Sequence, residues 1–312
     1  MLADLLTYDA AALLAVSFGV GIVVGLTGMG GGALMTPALI FLGIPPTVAV
    51  ANDLVAAAVN KSVGAAVHWR NGSPHLRLAG LLMVASVPFA FAGAFVVRAI
   101  GGSGEQEQLI KYAIGGALLL TAMTFTLRVY LSMRALAAGR EVTGDADEIT
   151  LRIVPTLVVG AIGGALVGVT SVGAGSLIMV ALVLLYPALA ARRLVGTDLV
   201  QAIPLVLSAA ISHVIVTGIT WTVLIPLIIG GMPGTYLGAR VAGRVPQGVI
   251  RRGIAIVLSL TGLALLGVPP TWVGLIGGGL LILGPAGWAL LRTMHGLPPT
   301  GNDTYTSTRD EP

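Results

Sequence analysis

Three kinds of residue in this 312-residue chain could bind or move a small solute. The first are two glycine-rich turns, Thr27-Gly28-Met29-Gly30-Gly31-Gly32 and Thr170-Ser171-Val172-Gly173-Ala174-Gly175, each of which interrupts an apolar run. Glycine adopts backbone conformations closed to other residues. Backbone N–H groups exposed at such a turn, followed by a helix N-terminus, make a cradle for an anion. Tight helix packing through small residues is the other reading of the same glycines. A nucleotide-binding loop is excluded, because there is no strand context and no Lys-Ser/Thr ending. The second kind are polar residues inside apolar stretches: Asn52, Asp53, Asn60 and Lys61 in one, Thr197, Asp198 and Gln201 in another. Asn52-Asp53 and Thr197-Asp198 lie near the starts of their stretches, where helix capping competes with a functional role. Lys61 lies two helical turns beyond Asp53. It is the leading candidate for an anion contact, with a structural pair to Asp53 or Asp198 as the alternative. The third kind are His68 and His213, near the ends of the same two stretches. Histidine titrates near neutral pH and can relay protons, or it can serve packing and interfacial hydrogen bonds. Asp53 and Asp198 join them as candidates for proton coupling.

Other chemistries find no support. Cysteine is absent, which removes disulfides, thiolate metal sites and thiol nucleophiles. No His/Glu set clusters for a dedicated metal site, and no serine has a His and Asp triad by motif. An enzyme, a metal centre and a cofactor are therefore not expected.

The elements that must position these residues follow from composition. Hydrophobic residues make up 56% of the chain and charged residues 10%, against about 25% charge in a soluble domain. With a mean hydropathy of +0.96, the chain needs the lipid bilayer as its solvent. Eleven apolar segments run at about 10–27, 33–43, 47–69, 77–99, 109–131, 151–169, 175–188, 195–217, 221–242, 250–267 and 270–291. The second and seventh are too short to cross a core about 30 Å thick at about 1.5 Å per residue, so they read as half-helices or re-entrant pieces. The N-terminus, with Asp4 and Asp9 and no basic residue, is not a secretory leader, so the first segment should be retained. With the N-terminus outside and each segment changing sides, the inner loops collect most basic residues, Arg70, Arg77, Arg192, Arg193, Arg251 and Arg252 among them. Arg98 and Lys111 fall outside. That bias is imposed by membrane insertion. It accounts for the pI near 9.8 without a nucleic-acid partner, and it places the C-terminus in the cytoplasm.

The chain repeats itself. Gly25-Leu26-Thr27-Gly28 aligns with Gly168-Val169-Thr170-Ser171. After a short insertion Asn52-Asp53-Leu54-Val55 aligns with Thr197-Asp198-Leu199-Val200. The latter offset also pairs His68 with His213, Pro88 with Pro233 and Gly93 with Gly238. Each copy holds five segments, an odd number, so the second must run through the membrane in the opposite sense, as in many secondary transporters. The expected organisation is an all-α polytopic membrane protein. Residues 1–131 form the first repeat, 132–150 a cytoplasmic connector and 151–267 an inverted second repeat. Residues 268–294 add one helix, and 295–312 form a polar cytoplasmic tail with the composition of a disordered segment.

The block GLTGMGGGALMTPALIFLG followed by AVANDLV, with a weaker second copy ending in LVGTDLV, resembles the TauE/SafE family of sulfite and organosulfonate exporters. The resemblance covers about residues 15–267. The second copy departs from it at Ser171-Val172-Gly173-Ala174-Gly175, so the two turns need not contribute equally. It implies a multi-pass permease of a bacterial or archaeal cytoplasmic (inner) membrane that exports a small sulfur oxyanion. The turns (Gly28, Gly30, Gly31, Gly32; Ser171, Gly173, Gly175) and Lys61 would supply positive potential to the anion. Asn52, Asn60, Thr197 and Gln201 would orient its oxygens. No ATPase signature is present, so gradients would drive transport. A cation or metal permease built on Asp53 and Asp198, an anion channel, and a membrane enzyme or structural subunit are the competing classes. A homodimer is one assembly consistent with the sequence.

Overall fold

The computed structural model describes residues 9–27, 31–68, 74–100, 103–137, 150–173, 177–187, 189, 191–241 and 247–298. These form eleven helices and no strand. In lipid every backbone polar group must find its partner within the protein, and a helix provides that partner within the segment itself. The helices are α1 (Ala10–Thr27), α2 (Gly32–Phe41), α3 (Pro46–His68), α4 (Leu76–Ala99), α5 (Ser103–Ala137), α6 (Ile153–Thr170), α7 (Leu177–Leu185), α8 (Ala191–Val216), α9 (Trp221–Val241), α10 (Gln247–Leu265) and α11 (Pro270–Met294).

Each apolar segment of the sequence has its helix, and α2 and α7 are as short as expected. α5 differs, because it runs six residues past 131 into the expected connector. Its added residues, Ser132-Met133-Arg134-Ala135-Leu136-Ala137, are mostly strong helix formers, so polarity alone marked the boundary too early. The rest of the connector, 138–149, and the tail beyond Pro298 lie outside the described residues. Among the described residues, seven helices are long and apolar enough to cross a membrane: α1, α4, α6, α9 and α11, together with the 104–131 part of α5 and the 196–216 part of α8. α3 has the length but carries Asn52, Asp53, Asn60 and Lys61.

The most extensive helix pairs are α1 with α9 and α4 with α6. Small residues make both pairs possible. A Cβ at Gly21 would lie 2.6 Å from the Gly231 carbonyl oxygen, and one at Gly25, Gly234 or Gly238 would strike the partner's backbone. Gly160, Gly164 and Gly168 press α6 on α4 at Leu82, Ser86 and Ala90 in the same way. Without a hydrophobic drive between helices in lipid, such close backbone approach is a main source of packing energy. α3 and α8 pack on each other between these pairs, α4 lying against α8 and α9 against α3, while α2 backs α3 and α7 backs α8. α5 packs on α10, and α11 rests chiefly on α10 with Leu275, Leu281, Ile282 and Leu283 exposed. Exchanging α1–α5 for α6–α10 turns α1–α9 into α6–α4 and α2–α3 into α7–α8. Those two sets are called the first and second halves below.

Candidate functional site

The two glycine turns meet. α6 ends at Thr170, and Ser171 caps it in the left-handed conformation, φ 61° and ψ 0°, donating its N–H to the Val167 carbonyl. That conformation costs a non-glycine residue about 1–2 kcal/mol. The Thr170 hydroxyl accepts the Val172 N–H at 3.1 Å, which braces the turn, and Gly173 follows at φ 106°. On the other side Gly31 caps α2 and Gly32 opens it. A Cβ on Gly32 would land on the Ser171 carbonyl oxygen, so only glycine lets the turns touch. Gly28, Gly30 and Gly175 lie outside the described residues.

Asp53 spans this junction. It is 2% exposed, and its Oδ2 accepts from Thr36 Oγ1 on α2 at 2.5 Å and from Ser171 Oγ at 2.8 Å. One carboxylate thereby joins α3 and α2 to the end of α6. Hydrogen bonds to an ionised acceptor are among the strong ones. Asp53 and Asp198 both sit about two turns inside their helices, so neither caps its own helix start.

Their neighbours instead hold the starts of other helices. Asn52 Oδ1 accepts the Thr220 N–H just ahead of α9 at 3.2 Å, and Asn52 Nδ2 donates to the Val48 carbonyl at 2.8 Å. Thr197 Oγ1 accepts the His75 N–H just ahead of α4 at 2.9 Å and donates to the Arg193 carbonyl at 2.7 Å. Every participant in the first pattern corresponds to its counterpart in the second at the repeat offset. The first N–H groups of a helix have no intrahelical partner, and an apolar surrounding supplies none.

α3 and α8 bring the charged residues together. Lys61 is half-buried and lies within electrostatic reach of Asp198 and, more weakly, of Asp53. Asp198 Oδ1 accepts from Gln201 Nε2 at 3.0 Å, and Gln201 Oε1 lies 3.5 Å from Ser86 Oγ on α4. Thr197, Gln201 and Ser86 are fully buried. Asn60 neighbours Lys61 in sequence, and its amide contacts α9 beside Gly231. The arrangement sets one cation near two carboxylates, one from each half, at the α3–α8 contact.

His213 is placed elsewhere. It is 2% exposed, and its Nε2 lies 2.7 Å from the Gly168 carbonyl, to which it must donate. It fastens α8 to α6, about 22 Å along the helix from Asp198 at about 1.5 Å per residue. The His68 side chain lies outside the described residues. Thr36 and Ser86 were not singled out in the sequence. Single hydroxyls are common in membrane helices, and only the fold shows that these two face Asp53 and Gln201.

A family model described as sulfite exporter TauE/SafE matches residues 13–265, and the chain belongs to that family. It is 32% identical to a probable membrane transporter protein YjnA of Bacillus subtilis over 79% of this chain and 96% of that one. It is 26% identical to a probable membrane transporter protein YdhB of the same organism over 81% and 99% of the two chains. A probable membrane transporter protein of Xylella fastidiosa is 28% identical over 72% and 82%. No solved structure matches. The chain is a multi-pass membrane protein of a transporter family.

Proposed function

We propose, proceeding from that membership, that the chain is a secondary-active carrier that moves a small anion, sulfite or an organosulfonate, out across the cytoplasmic membrane. The observation that carries this reading is Lys61, a cation inside an apolar helix within electrostatic reach of carboxylates from both halves. A buried charge needs a partner. An incoming anion can take the place of Asp198 or Asp53 on Lys61, and the displaced carboxylate can then take up a proton. Binding and protonation are thereby linked.

The two halves, 1–131 and 151–267, act in this reading as inverted repeats, with 268–294 as an added helix, the N-terminus outside and the C-terminus cytoplasmic. The exchanged helix pairs and the matching Asn52–Thr220 and Thr197–His75 bonds support a twofold relation. Asp53 ties α2 to the second turn in this conformation. Releasing Ser171 would let the halves rock about the α3–α8 contact, which is alternating access. Asn60 and Gln201 orient the anion's oxygens, and the described glycines Gly31, Gly32 and Gly173 let the turns approach it.

The test is uptake of labelled sulfite by proteoliposomes of known orientation under an imposed pH gradient, with sulfoacetate and sulfate as competitors. Saturable, competable flux that is lost in Lys61→Ala is expected. Flux of undiminished affinity in that variant would end the role of Lys61. The excess of carboxylate over lysine at the same contact favours a second reading, a cation permease. It predicts cation flux without any anion, abolished by Asp198→Asn.

A further inference from the structure

Beside the cluster of Asp53, Asp198 and Gln201 lies another polar patch, between α1, α3 and α9. Asn60 Oδ1 and Thr235 Oγ1 are both buried, and neither has a hydrogen-bond partner. The large majority of buried side-chain polar atoms in folded proteins are paired. The two residues lie on facing helices: a Cβ at Gly231, one turn before Thr235, would lie 3.3 Å from Asn60 Nδ2. The Thr235 backbone packs on Gly25 in the last turn of α1, and Lys61 follows Asn60 directly. Asn52 in the same helix shows what a structural asparagine does here, since both ends of its amide are bonded. At the repeat-equivalent positions of Asn60, Lys61 and Thr235 stand Leu205, Val206 and Ala90, all buried. Packing alone is met by apolar residues there. The polar set is thus confined to one of two equivalent sites, and its orphaned oxygens point to a ligand.

We infer that Asn60 is the specificity-determining residue of the anion site, selecting a small oxyanion that carries a hydroxyl, and that Thr235 beside it is a donor to the anion's oxygens. The inference rests on the carrier reading above. Lys61, the Thr235 hydroxyl and the Asn60 N–H groups donate to the anion's oxygens. Asn60 Oδ1 is an acceptor with nothing to accept, and the ligand's O–H supplies the missing donor. Hydrogensulfite and hydroxylated alkylsulfonates share this chemistry.

The experiment is competition against labelled sulfite in proteoliposomes by 2-hydroxyethanesulfonate and by ethanesulfonate, which carry the same charge. The wild type should favour the hydroxylated competitor by about ten-fold or more, because the other leaves a buried acceptor unpaired. In Asn60→Leu the preference between the two competitors should collapse to within about two-fold, and the remaining sulfite flux should half-saturate at a higher concentration, because hydrogensulfite loses the same acceptor. Thr235→Val should weaken both competitors alike, and Thr235→Ser should restore them, which also covers a failure of the Asn60 variant to fold. Equal competition in the wild type, or a preference retained in Asn60→Leu, overturns the inference while leaving the carrier reading intact. A bound water that satisfies these oxygens would give that result. Absence of flux of all three anions in the wild type overturns the carrier reading and this inference together.

Discussion

Ser171 pits local strain against a tertiary bond, so replacing it with glycine should change sign with the state of residue 53. Its backbone is left-handed at φ 61°, a conformation that costs a non-glycine residue about 1–2 kcal/mol. Glycine removes that strain but adds about 0.5–1 kcal/mol of chain entropy to be lost on folding. The backbone gain is therefore about 0.5–1 kcal/mol. Against it stands the 2.8 Å bond from Ser171 Oγ to the Asp53 carboxylate, of the class that contributes about 1.5–3 kcal/mol. Ser171→Gly in the wild type should therefore destabilise by about 1–2 kcal/mol. In an Asp53→Ala background the bond is already absent, and the same substitution should stabilise by about 0.5–1 kcal/mol. Unfolding of the four proteins of this cycle in mixed micelles gives the coupling directly. A coupling below about 0.5 kcal/mol, or the same sign in both backgrounds, would refute the view that Asp53 holds the second turn.

Packing at the α4–α6 contact makes a paired prediction. Gly164→Ala drives a methyl into the Ser86 carbonyl and should destabilise by about 1–3 kcal/mol. Gly19→Ala meets open space and should stabilise by up to about 1 kcal/mol. Melting curves in one detergent should separate the two, and equal effects would rule out close backbone approach as the reason for the glycines. Asn52→Leu and Thr197→Val should each destabilise by about 1–3 kcal/mol, since each leaves a helix-start N–H unpaired. Sulfite half-saturation should hold in both variants, and a weakened half-saturation at unchanged stability would assign them to the anion instead.

Composition and hydropathy alone determine that this chain is a helical membrane protein, because water cannot solvate so apolar a surface and lipid leaves the backbone few alternatives to the helix. The eleven segments were legible for the same reason, as was the shortness of α2 and α7. The end of α5 was not, since its helix continues through residues whose polarity resembles that of a connector. Ordered matches between the two halves of the sequence singled out Asp53 and Asp198, and a charge inside an apolar segment singled out Lys61. The roles of their neighbours were not legible. Asn52 and Asn60 are the same residue type in one helix, yet one is consumed by the start of α9 and the other is left with an orphaned oxygen. His213 was a candidate for proton coupling by repeat and type, and the rise of α8 sets it at the Gly168 carbonyl, apart from Asp198. Hydrogen bonding is directional and acts over about 3 Å. Which polar groups satisfy one another therefore depends on how the helices cross, and spacing along the chain carries no record of that.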